Sequence, residues 1–361
     1  PVPMAESNEL MVASLNLQRF FDTTKDSGTL DVALTEPAFE RRLNKVSLGV
    51  RRVLRSPEVL AVMEVENVAT LRALAAKINA DAVAAGEANP NYQAYLEEGN
   101  DPGGIDVGYL VKTARVTVVD VTQVGKSDTY VDPLTNQPAT VHDRPPLVLR
   151  VSSTGLSFTV VANHPRSMNS IDDPVEGRRV RAKRRAQAEA IAKLVQARQV
   201  ANPRERILVV GDMNAFQFND GYVDLLGIVR GNPTPPPMVV LGSADLVNPD
   251  LVNAIDLAPE DQRYSYLFDG NAQALDHIVA NEVMQPLVAR LAYGRMNADF
   301  PEVLRNDAGR PERFSDHDAV VAYVKLPSAV EVSEQVTFAV SGLTLNRSTL
   351  LYEAKVTVTN N

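Results

Sequence analysis

Short apolar runs recur along most of this chain and constrain its fold more than any other feature. Each run has four to eight residues, is rich in Val, Ile, Leu and Phe, and is bounded by turn-forming residues. This pattern is typical of buried β-strands. The predicted strands are Leu10–Leu15, Val59–Met63, Val107–Val111, Val116–Val121, Leu147–Ser153, Phe158–Ala162, Ile207–Val210, Ala274–Val279 and Ala319–Val324.

Three amphipathic patterns between these runs predict surface helices. In the first, apolar residues step by three and four positions from Phe39 to Val53, behind Thr35 as the N-cap and Pro37 in the first turn. The second starts at Val68 and ends near Ile78, and the third spans about Val180 to Val200. Paired strands with helices between them favour two packed sheets with helices outside, and they fit a doubly wound sheet less well.

The character of the sequence changes after Pro327. Alternating apolar and polar residues from Val332 to Val340 and from Leu351 to Val358 predict one or two strands. About 35 residues are too few to bury a core of their own. We therefore expect a main domain over residues 1–327, and over 328–361 a truncated β-strand segment of a following β-sandwich module. That segment should lean on the main domain or be partly mobile, and the chain should be part of a larger protein.

Composition excludes several kinds of chemistry. The chain of 361 residues has no cysteine, which removes disulfides, thiolate nucleophiles and cysteine-based metal sites. Its formal net charge of -9 argues against a sequence-blind DNA coat, which would normally be basic. An acidic protein that handles phosphates must recruit them through a metal or a local basic patch. No apolar run approaches the ~20 residues that span a bilayer, so we expect no membrane span.

Polar residues stand at the ends or openings of seven apolar runs. Strand ends are rigid and open onto loops, so they are favourable places for chemistry. Each residue alone has an ordinary structural interpretation as a turn or a solvated strand end, but their joint occurrence predicts a functional site. These residues are Asn16, Glu64, Asp106, Asn163-His164, Asp212 with Asn214, Asp276-His277 and Asp316-His317-Asp318.

Three of these residues supply hard oxygen atoms. Glu64, Asn16 and Asp316 suit Mg²⁺ or Mn²⁺ as ligands, and they do not suit zinc. Such a metal keeps several waters and bridges to phosphate oxygens, which polarises phosphorus and neutralises developing charge. We therefore predict a hard-cation site that acts on phosphate esters.

The remaining residues predict acid–base chemistry beside that metal. Asp212 with Asn214 can hold and deprotonate an attacking water. His164 and His317 can stabilise the charge that develops and protonate the leaving oxygen. A carboxylate behind each histidine would fix its tautomer and raise its pKa. The candidates are Asp276 for His317 and Asp106 for His164.

These motifs, in this order, resemble the endonuclease/exonuclease/phosphatase superfamily. That superfamily includes pancreatic deoxyribonuclease, abasic-site endonucleases, bacterial sphingomyelinase and inositol polyphosphate phosphatases. The resemblance spans about Leu10 to Lys325 and looks strongest to the secreted bacterial nuclease-like branch. The motifs that carry it are SLNLQRFF, VMEVEN, GGIDVGYLV, DRPPL, VVANHPRS, GDMNAF, YSYLFDGNAQALDHI, MNADFPE and FSDHD.

The resemblance implies a four-layered α/β-sandwich. Two packed mixed or antiparallel β-sheets would be flanked by helices, with a short β-rich C-terminal extension. It also implies roles for individual residues. Glu64 would be the main metal ligand, with Asn16 and Asp316 beside the metal. Asp212 and Asn214 would position the water and the scissile phosphate. His164 and His317 would be the catalytic pair, and Asp276 would be the partner of His317.

Several assignments stay open at the level of sequence. Glu66 competes with Glu64, because strand alternation would place both on the same face, and only the family motif favours Glu64. Arg144 is either a phosphate contact or a structural arginine, and His277 is interpreted as a supporting residue. One basic run is either the solvated face of a helix or a rim that attracts polyanions. It consists of Arg178, Arg179, Arg181, Lys183, Arg184 and Arg185.

Three functions follow from this interpretation. The first is a secreted, Mg²⁺-dependent, non-specific nuclease acting on DNA or RNA, with Mn²⁺ or Ca²⁺ as other possible ions. The second is a phosphatase or phosphodiesterase on small-molecule, lipid or organophosphate esters, which the acidic charge and the scarcity of aromatic residues keep open. The third is a non-catalytic extracellular binding module, which the intact set of polar residues disfavours. Secretion, or a periplasmic or cell-surface location, is expected from the branch resemblance, and the oligomeric state stays open.

Overall fold

The structure is a computed structural model that describes residues 1–327, 336–348 and 351–360. Contacts divide the chain into two compact units, Pro1–Leu326 and Pro327–Asn361. The helices are α1 Glu36–Leu48, α2 Val68–Ala84, α3 Glu176–Ala201 and α4 Leu225–Arg230. The strands are β1 Glu9–Phe20, β2 Val59–Val65, β3 Tyr92–Leu96, β4 Asp106–Lys112, β5 Thr117–Gln123, β6 Thr129–Val131, β7 Pro138–Thr140, β8 Leu147–Ser153, β9 Leu156–Asn163, β10 Ile207–Asp212, β11 Val252–Asn253, β12 Tyr266–Phe268, β13 Asn271–Gln273, β14 Asp276–Ala280, β15 Val288–Gly294, β16 Ala319–Lys325, β17 Val336–Val340, β18 Thr344–Asn346, β19 Leu351–Glu353 and β20 Val356–Asn360.

Two six-stranded mixed sheets form the first unit. The first sheet has the order β15-β16-β1-β2-β4-β3, and the second has the order β11-β14-β10-β9-β8-β5. In the first sheet β1 and β2 are parallel, in the second β9 and β10 are parallel, and the other neighbours are antiparallel. Parallel neighbours end at the same edge of a sheet, so each sheet brings two strand ends together.

The alternation along β1 explains how the layers stack. Leu10 and Val12 are buried in the layer between the two sheets, where inward residues of both sheets meet. Met11 and Ala13 face the other way, into a layer that includes Leu43 of α1. On the far side, α3 and α4 pack on the outer face of the second sheet. The layers run helix, sheet, sheet, helix, which confirms the predicted α/β-sandwich.

The predicted helices and strands are present, with ends shifted by a few residues. The first helix ends at Leu48 and continues as a π-helical turn over Gly49–Val53. Thr35 is the N-cap residue, although its side chain makes no capping hydrogen bond. Sequence reasoning missed β3 and β15, the edge strands of the first sheet, and β11, an edge strand of the second sheet. It also missed the short strands β6, β7, β12 and β13. In β3 and β15, buried residues alternate irregularly with less buried ones, so neither strand forms a continuous apolar run.

The second unit contains two strand pairs, β17 with β20 and β18 with β19, both antiparallel. The expected strand from Leu351 to Val358 is in fact two strands, β19 and β20. The start of the other expected strand, residues 332–335, lies outside the described residues. That this segment belongs to a β-sandwich module stays a prediction. Among the described residues, no helix is both long and apolar enough to span a bilayer.

Candidate active site

Glu64 owes its orientation to a β-bulge near the end of β2. Both neighbours of β2 skip this residue, since their pairing passes from Met63 directly to Val65. Its φ of 62° lies in the left-handed region, which is uncommon for a residue with a side chain. A bulge of this kind re-aims a side chain. Glu64 Oε2 accepts a hydrogen bond from the Arg19 backbone N at 2.9 Å.

The bulge also separates Glu64 from Glu66. Glu66 is buried, and its Oε2 accepts from the Asp22 backbone N at 2.6 Å and from the Thr70 hydroxyl at 3.2 Å. The expectation that both carboxylates share one face is therefore wrong, because the extra residue in the bulge interrupts the alternation. Burial, followed by the charge of Asp22, raises the pKa of Glu66 to about 7. Glu64 is thus the carboxylate that joins the candidate site.

Asn16 connects the two sheets. Its Nδ2 donates to Glu64 Oε1 at 3.1 Å and to Asp212 Oδ2 at 3.0 Å, so one amide bridges β2 and β10. Its Oδ1 accepts from the Gln18 backbone N at 2.8 Å. In this arrangement Asn16 presents its NH₂ group to the centre, and not the predicted oxygen ligand. The Ser315 hydroxyl donates to the Asn16 carbonyl at 2.7 Å and fixes this part of β1 to the segment before β16.

Asp212 occupies the middle of the site at the end of β10. Its buried Oδ2 lies 3.6 Å from His164 Nε2 and 3.7 Å from His317 Nε2, so two imidazoles flank one carboxylate oxygen. Its other oxygen, Oδ1, accepts from the Asn214 backbone N at 2.9 Å. Burial raises the pKa of Asp212, and the nearby charge of His317 opposes that rise.

The turn after Asp212 places Asn214 beside the His164 loop. Asn214 has a φ of 46°, and its Nδ2 donates to the Pro165 carbonyl at 3.1 Å. Gly211 precedes Asp212 with a φ of 144°, and a Cβ there would lie 2.0 Å from the Asn163 carbonyl oxygen. The glycine of the GD-x-N motif is therefore required by the close approach of β9.

His317 is held in one orientation by Asp276. Its Nδ1 lies 2.7 Å from Asp276 Oδ2, and both residues are buried. Burial disfavours the charged ring, but the charges of Asp276 and Asp212 outweigh this effect and raise the pKa of His317 well above its ordinary value. The ring of Tyr266 packs against the imidazole with centroids 4.7 Å apart. The sequence analysis did not identify Tyr266 as a site residue, because it considered polar residues at strand ends and this tyrosine of the YSY motif is not one of them.

His164 differs from His317 in what lies behind the ring. Its Nδ1 is buried and has no hydrogen-bond partner among the described residues. Burial, followed by the charges of Arg144 and His317, lowers the pKa of His164 well below its ordinary value. Its Nε2 lies 3.9 Å from Glu64 Oε1, so the neutral ring faces both carboxylates of the centre.

The expected pairing of Asp106 with His164 is not formed. Asp106 Oδ1 accepts from the Gly99 backbone N at 2.8 Å, and its carboxyl interacts with Glu98. Burial, together with the charge of Glu98, raises the pKa of Asp106 to about 8. Asp106 lies at the start of β4, where the chain from β3 folds back over it, and this local loop takes up its hydrogen-bonding capacity.

The guanidinium group of Arg144 is hydrogen-bonded to other residues of the protein, which favours a structural role over a contact with phosphate. Its Nε donates to the His164 carbonyl at 3.2 Å, its Nη2 to the Pro165 carbonyl at 3.1 Å, and its Nη1 to Asp101 at 2.7 Å. The side chain is 11% exposed, which leaves little of it open to a substrate. Its contacts instead fix the loop that carries His164.

The basic run is mostly paired within the protein. Arg179 pairs with Asp132 and Glu176, Lys183 with Asp143, and Arg185 with Glu189. Arg184 is fully buried and donates to the Arg166 carbonyl, and Arg181 donates to the Ile171 carbonyl. These contacts favour the interpretation of the run as an ordinary helix face.

His277 is the second residue of β14 and contacts the segment that follows Asn214. Its Nε2 lies 2.9 Å from the Ala215 carbonyl, and its Nδ1 lies 3.1 Å from Asn253 Nδ2. Burial lowers the pKa of His277 to about 4, so the ring is neutral. A neutral ring that donates to Ala215 and accepts from Asn253 anchors the segment after Asn214.

Two neighbouring groups of side chains differ in whether they fit a cation. Asp212, Asp276 and His317 have ligand atoms within 4.8 Å of one another. However, His317 Nδ1 is hydrogen-bonded to Asp276, so these three side chains are better suited to binding a proton than to binding a metal ion. Glu64 is half-buried, and burial raises its pKa, with the charges of Asp212 and Asp316 adding to the rise. A hard divalent cation bound by Glu64 and Asp316 would relieve this excess of negative charge.

Comparisons with known proteins agree with this fold. A sequence profile described as "Endonuclease/Exonuclease/phosphatase family" matches residues 13–317. A truncated Caenorhabditis elegans TDP2 structure is 16% identical, covers 89% of this chain and 100% of its own, and superposes with a TM-score of 0.52. An endonuclease/exonuclease/phosphatase family protein from Bacteroides thetaiotaomicron is 14% identical, covers 89% of this chain and 98% of its own, and has a TM-score of 0.53. These likenesses concern the fold. No curated protein sequence matches the chain.

Proposed function

This chain belongs to the endonuclease/exonuclease/phosphatase family, and from that membership we propose that it is a Mg²⁺-dependent phosphodiesterase that cuts nucleic acid. The family consists of phosphoric ester hydrolases that use divalent metals, and the candidate site contains groups suited to that chemistry. The proposal extends this to a non-specific nuclease. Export from the cell, expected from the branch resemblance, is part of the same proposal.

One observation carries the proposal: a single buried carboxylate oxygen of Asp212 lies between two imidazoles, at 3.6 Å and 3.7 Å. These two rings have pKa values displaced in opposite directions, so one is charged and the other is neutral at the same pH. Acid–base catalysis of phosphodiester cleavage needs such a pair of unlike groups beside the attacking water.

The protein side of the reaction follows from these contacts. Asp212 accepts the proton of a water that lies between it and the phosphate, and Asn214 fixes the rotamer of Asp212 through its backbone N. His317, kept protonated by Asp276, stabilises the developing negative charge and supplies a proton to the leaving oxygen. His164 stays neutral and donates a hydrogen bond to the phosphate.

Glu64 and Asp316 are the residues that would hold the metal. When bound, Mg²⁺ would polarise the phosphate and neutralise its charge. Asn16 keeps Glu64 and Asp212 at a fixed separation, because its NH₂ group bonds to both carboxylates.

The test is hydrolysis of three substrates: plasmid DNA, bis-p-nitrophenyl phosphate and p-nitrophenyl phosphate, each with Mg²⁺, Mn²⁺ or Ca²⁺ and with chelator. We expect the two diesters to be cleaved and chelator to abolish cleavage. His164→Ala and Asp212→Asn should each lower turnover by ~100-fold or more, as is typical for general acid–base groups. Arg178→Ala is the matched control, because Arg178 is exposed and its side chain forms no hydrogen bond or ion pair with a described residue.

Two outcomes would contradict the proposal. Wild-type rates in both His164→Ala and Asp212→Asn would show that the roles assigned to them are wrong. Cleavage of the monoester or the small diester without cleavage of DNA would replace the nuclease with a hydrolase of small phosphate esters.

A further inference from the structure

A groove of about 680 Å³ lies on the outer face of the second sheet, far from the candidate site. Its floor is formed by outward residues of β8 and β9, including Ser152 and Ser157. One wall is the C-terminal part of α3, from Leu194 onwards, and the loop 202–206 closes its end.

Four arginines line this groove in a chain whose net charge is -9. The one carboxylate among the described lining residues is Glu205, and Arg198 already pairs with it. Arg150, Arg204 and Arg206 form no ion pair with any described residue. Asp120 lies opposite Arg150 across the β5–β8 pair, but the two are not within ion-pair distance. The residues that line the groove therefore carry an excess of positive charge, with four arginines against Glu205.

Arg206 gives the groove a second distinctive feature. Its Nε is buried and has no hydrogen-bond partner among the described residues. A buried N–H group without a partner costs free energy, and most such groups in proteins are satisfied by protein, water or ligand. An anionic oxygen in the groove would supply the missing acceptor.

The groove and the candidate site lie at opposite ends of the same strand. Ser157 of β9 lines the groove, and Asn163 ends β9 next to His164. Six residues of strand at about 3.3 Å each separate them by roughly 20 Å. A second groove of about 700 Å³, which shares Leu194, continues along α3 over Ala182–Leu194. Together these grooves follow α3 along most of its length.

We propose that the arginine groove binds the phosphodiester backbone of a nucleic-acid strand whose scissile bond lies in the candidate site. Guanidinium groups match the geometry of phosphate oxygens, and the hydroxyls of Ser152 and Ser157 add uncharged donors. This inference rests on the proposed function and deepens it: the substrate is a long polyanion. Because a strand rises about 3.4 Å per nucleotide, roughly six nucleotides are needed to bridge the two places.

The test measures binding of fluorescently labelled oligothymidylates of 4 and 16 nucleotides, with Mg²⁺ present, in an Asp212→Asn background that suppresses turnover. The groove variant is Arg150→Ser/Arg204→Ser, because both side chains are exposed and their loss leaves the core intact. The matched control is Arg52→Ser/Arg72→Ser, which changes the net charge equally at exposed residues elsewhere.

We expect the 16-mer to bind more tightly than the 4-mer, and the groove variant to lose about tenfold affinity for the 16-mer alone. Removing two phosphate contacts should reduce the slope of log affinity against log salt by about 1.4. In the Asp212 wild-type background, hydrolysis of bis-p-nitrophenyl phosphate should be unchanged by the groove substitutions.

The inference is overturned if the 16-mer binds no better than the 4-mer, or if the groove and control variants lose equal affinity. Failure of the proposed function is a separate result, since it would show as absent DNA cleavage while this binding pattern persisted. An Arg206→Lys variant tests the buried nitrogen without removing charge, and full retention of 16-mer affinity would show that the guanidinium geometry of Arg206 is not used.

Discussion

Replacing Arg42 by alanine should weaken both folding and metal binding. Arg42 lies on α1, and its guanidinium donates to the carbonyls of Leu17, Gln18 and Arg19 at 2.7–2.8 Å. Gln18 and Arg19 both have a φ of 52°, so this segment of β1 holds two consecutive left-handed residues. The same segment donates its backbone N–H groups to Asn16 and Glu64. Arg42 thus fixes the turn that orients Glu64, the carboxylate that we propose as a metal ligand.

The three hydrogen bonds of Arg42 determine how much its loss should destabilise the folded protein. A hydrogen bond from a charged donor contributes about 1.5–3 kcal/mol. Leu17 is buried, but Gln18 and Arg19 are partly or fully exposed, so water can replace the guanidinium at their carbonyls. We therefore expect Arg42→Ala to lower the free energy of unfolding by about 2–3 kcal/mol in total. Residues that orient a metal ligand typically change metal affinity by 10–100-fold, so we expect a loss of at least about tenfold in affinity for Mg²⁺ or Mn²⁺.

The assay is a calorimetric titration of the folded variant with Mn²⁺, together with the Mg²⁺ dependence of diester hydrolysis. Arg41→Ala is the control, because Arg41 is the preceding residue on α1 and forms no hydrogen bond or ion pair with a described residue. Arg42→Lys keeps the charge but not the three-way geometry, and should recover only part of the affinity. An Arg42→Ala protein that is folded and binds Mn²⁺ within twofold of wild type would refute this reasoning.

Three other substitutions test the site and its surroundings. Asp276→Asn should lower turnover by ~100-fold or more and move the alkaline limb of the pH–rate profile to lower pH. The carboxylate of Asp276 raises the pKa of His317, and activity should be lost as the pH rises through that pKa. An unmoved alkaline limb would contradict this. Gly211→Ala should lower the free energy of unfolding by more than about 2 kcal/mol, measured by urea denaturation, because its Cβ would meet the Asn163 carbonyl. Glu66→Gln should raise the melting temperature at pH 8 and increase the free energy of unfolding by about 1–3 kcal/mol. The reason is that the pKa of Glu66 is raised to about 7, so ionisation of this carboxyl destabilises the folded protein as pH rises from 4.5 to 7. Equal melting temperatures of variant and wild type at pH 8 would refute this.

Most of the architecture followed from the sequence because buried strands carry an unmistakable apolar pattern. Polar residues such as Asp212 stand where such a pattern stops, so the edge of the sheet that carries them was predictable. That Asn16, Glu64 and Asp212 would meet also follows from the fold, since parallel strands in each sheet end on one side. Their chemical roles stay predictions.

What the sequence did not reveal depends on backbone irregularity and on loops. Periodicity assumes regular strands, so it placed Glu64 and Glu66 on one face, whereas the bulge at Glu64 separates them. Arg144 lies in a loop, and Asp106 at the start of β4 is contacted by the loop before it. The hydrogen bonds of these loops decide which groups remain free. Arg42 was missed because it has no motif of its own, being one of many arginines in helices.

The two histidines show how one centre acquires two unlike groups. Both rings lie almost the same distance from the same Asp212 oxygen, yet their pKa values are displaced in opposite directions. Burial lowers the pKa of both rings, but at His317 the charges of Asp276 and Asp212 outweigh it, whereas at His164 the charges of Arg144 and His317 add to it. We therefore propose that the division between the acid and the neutral donor is set mainly by Asp276 and Arg144, two residues to which no contact with the phosphate is assigned.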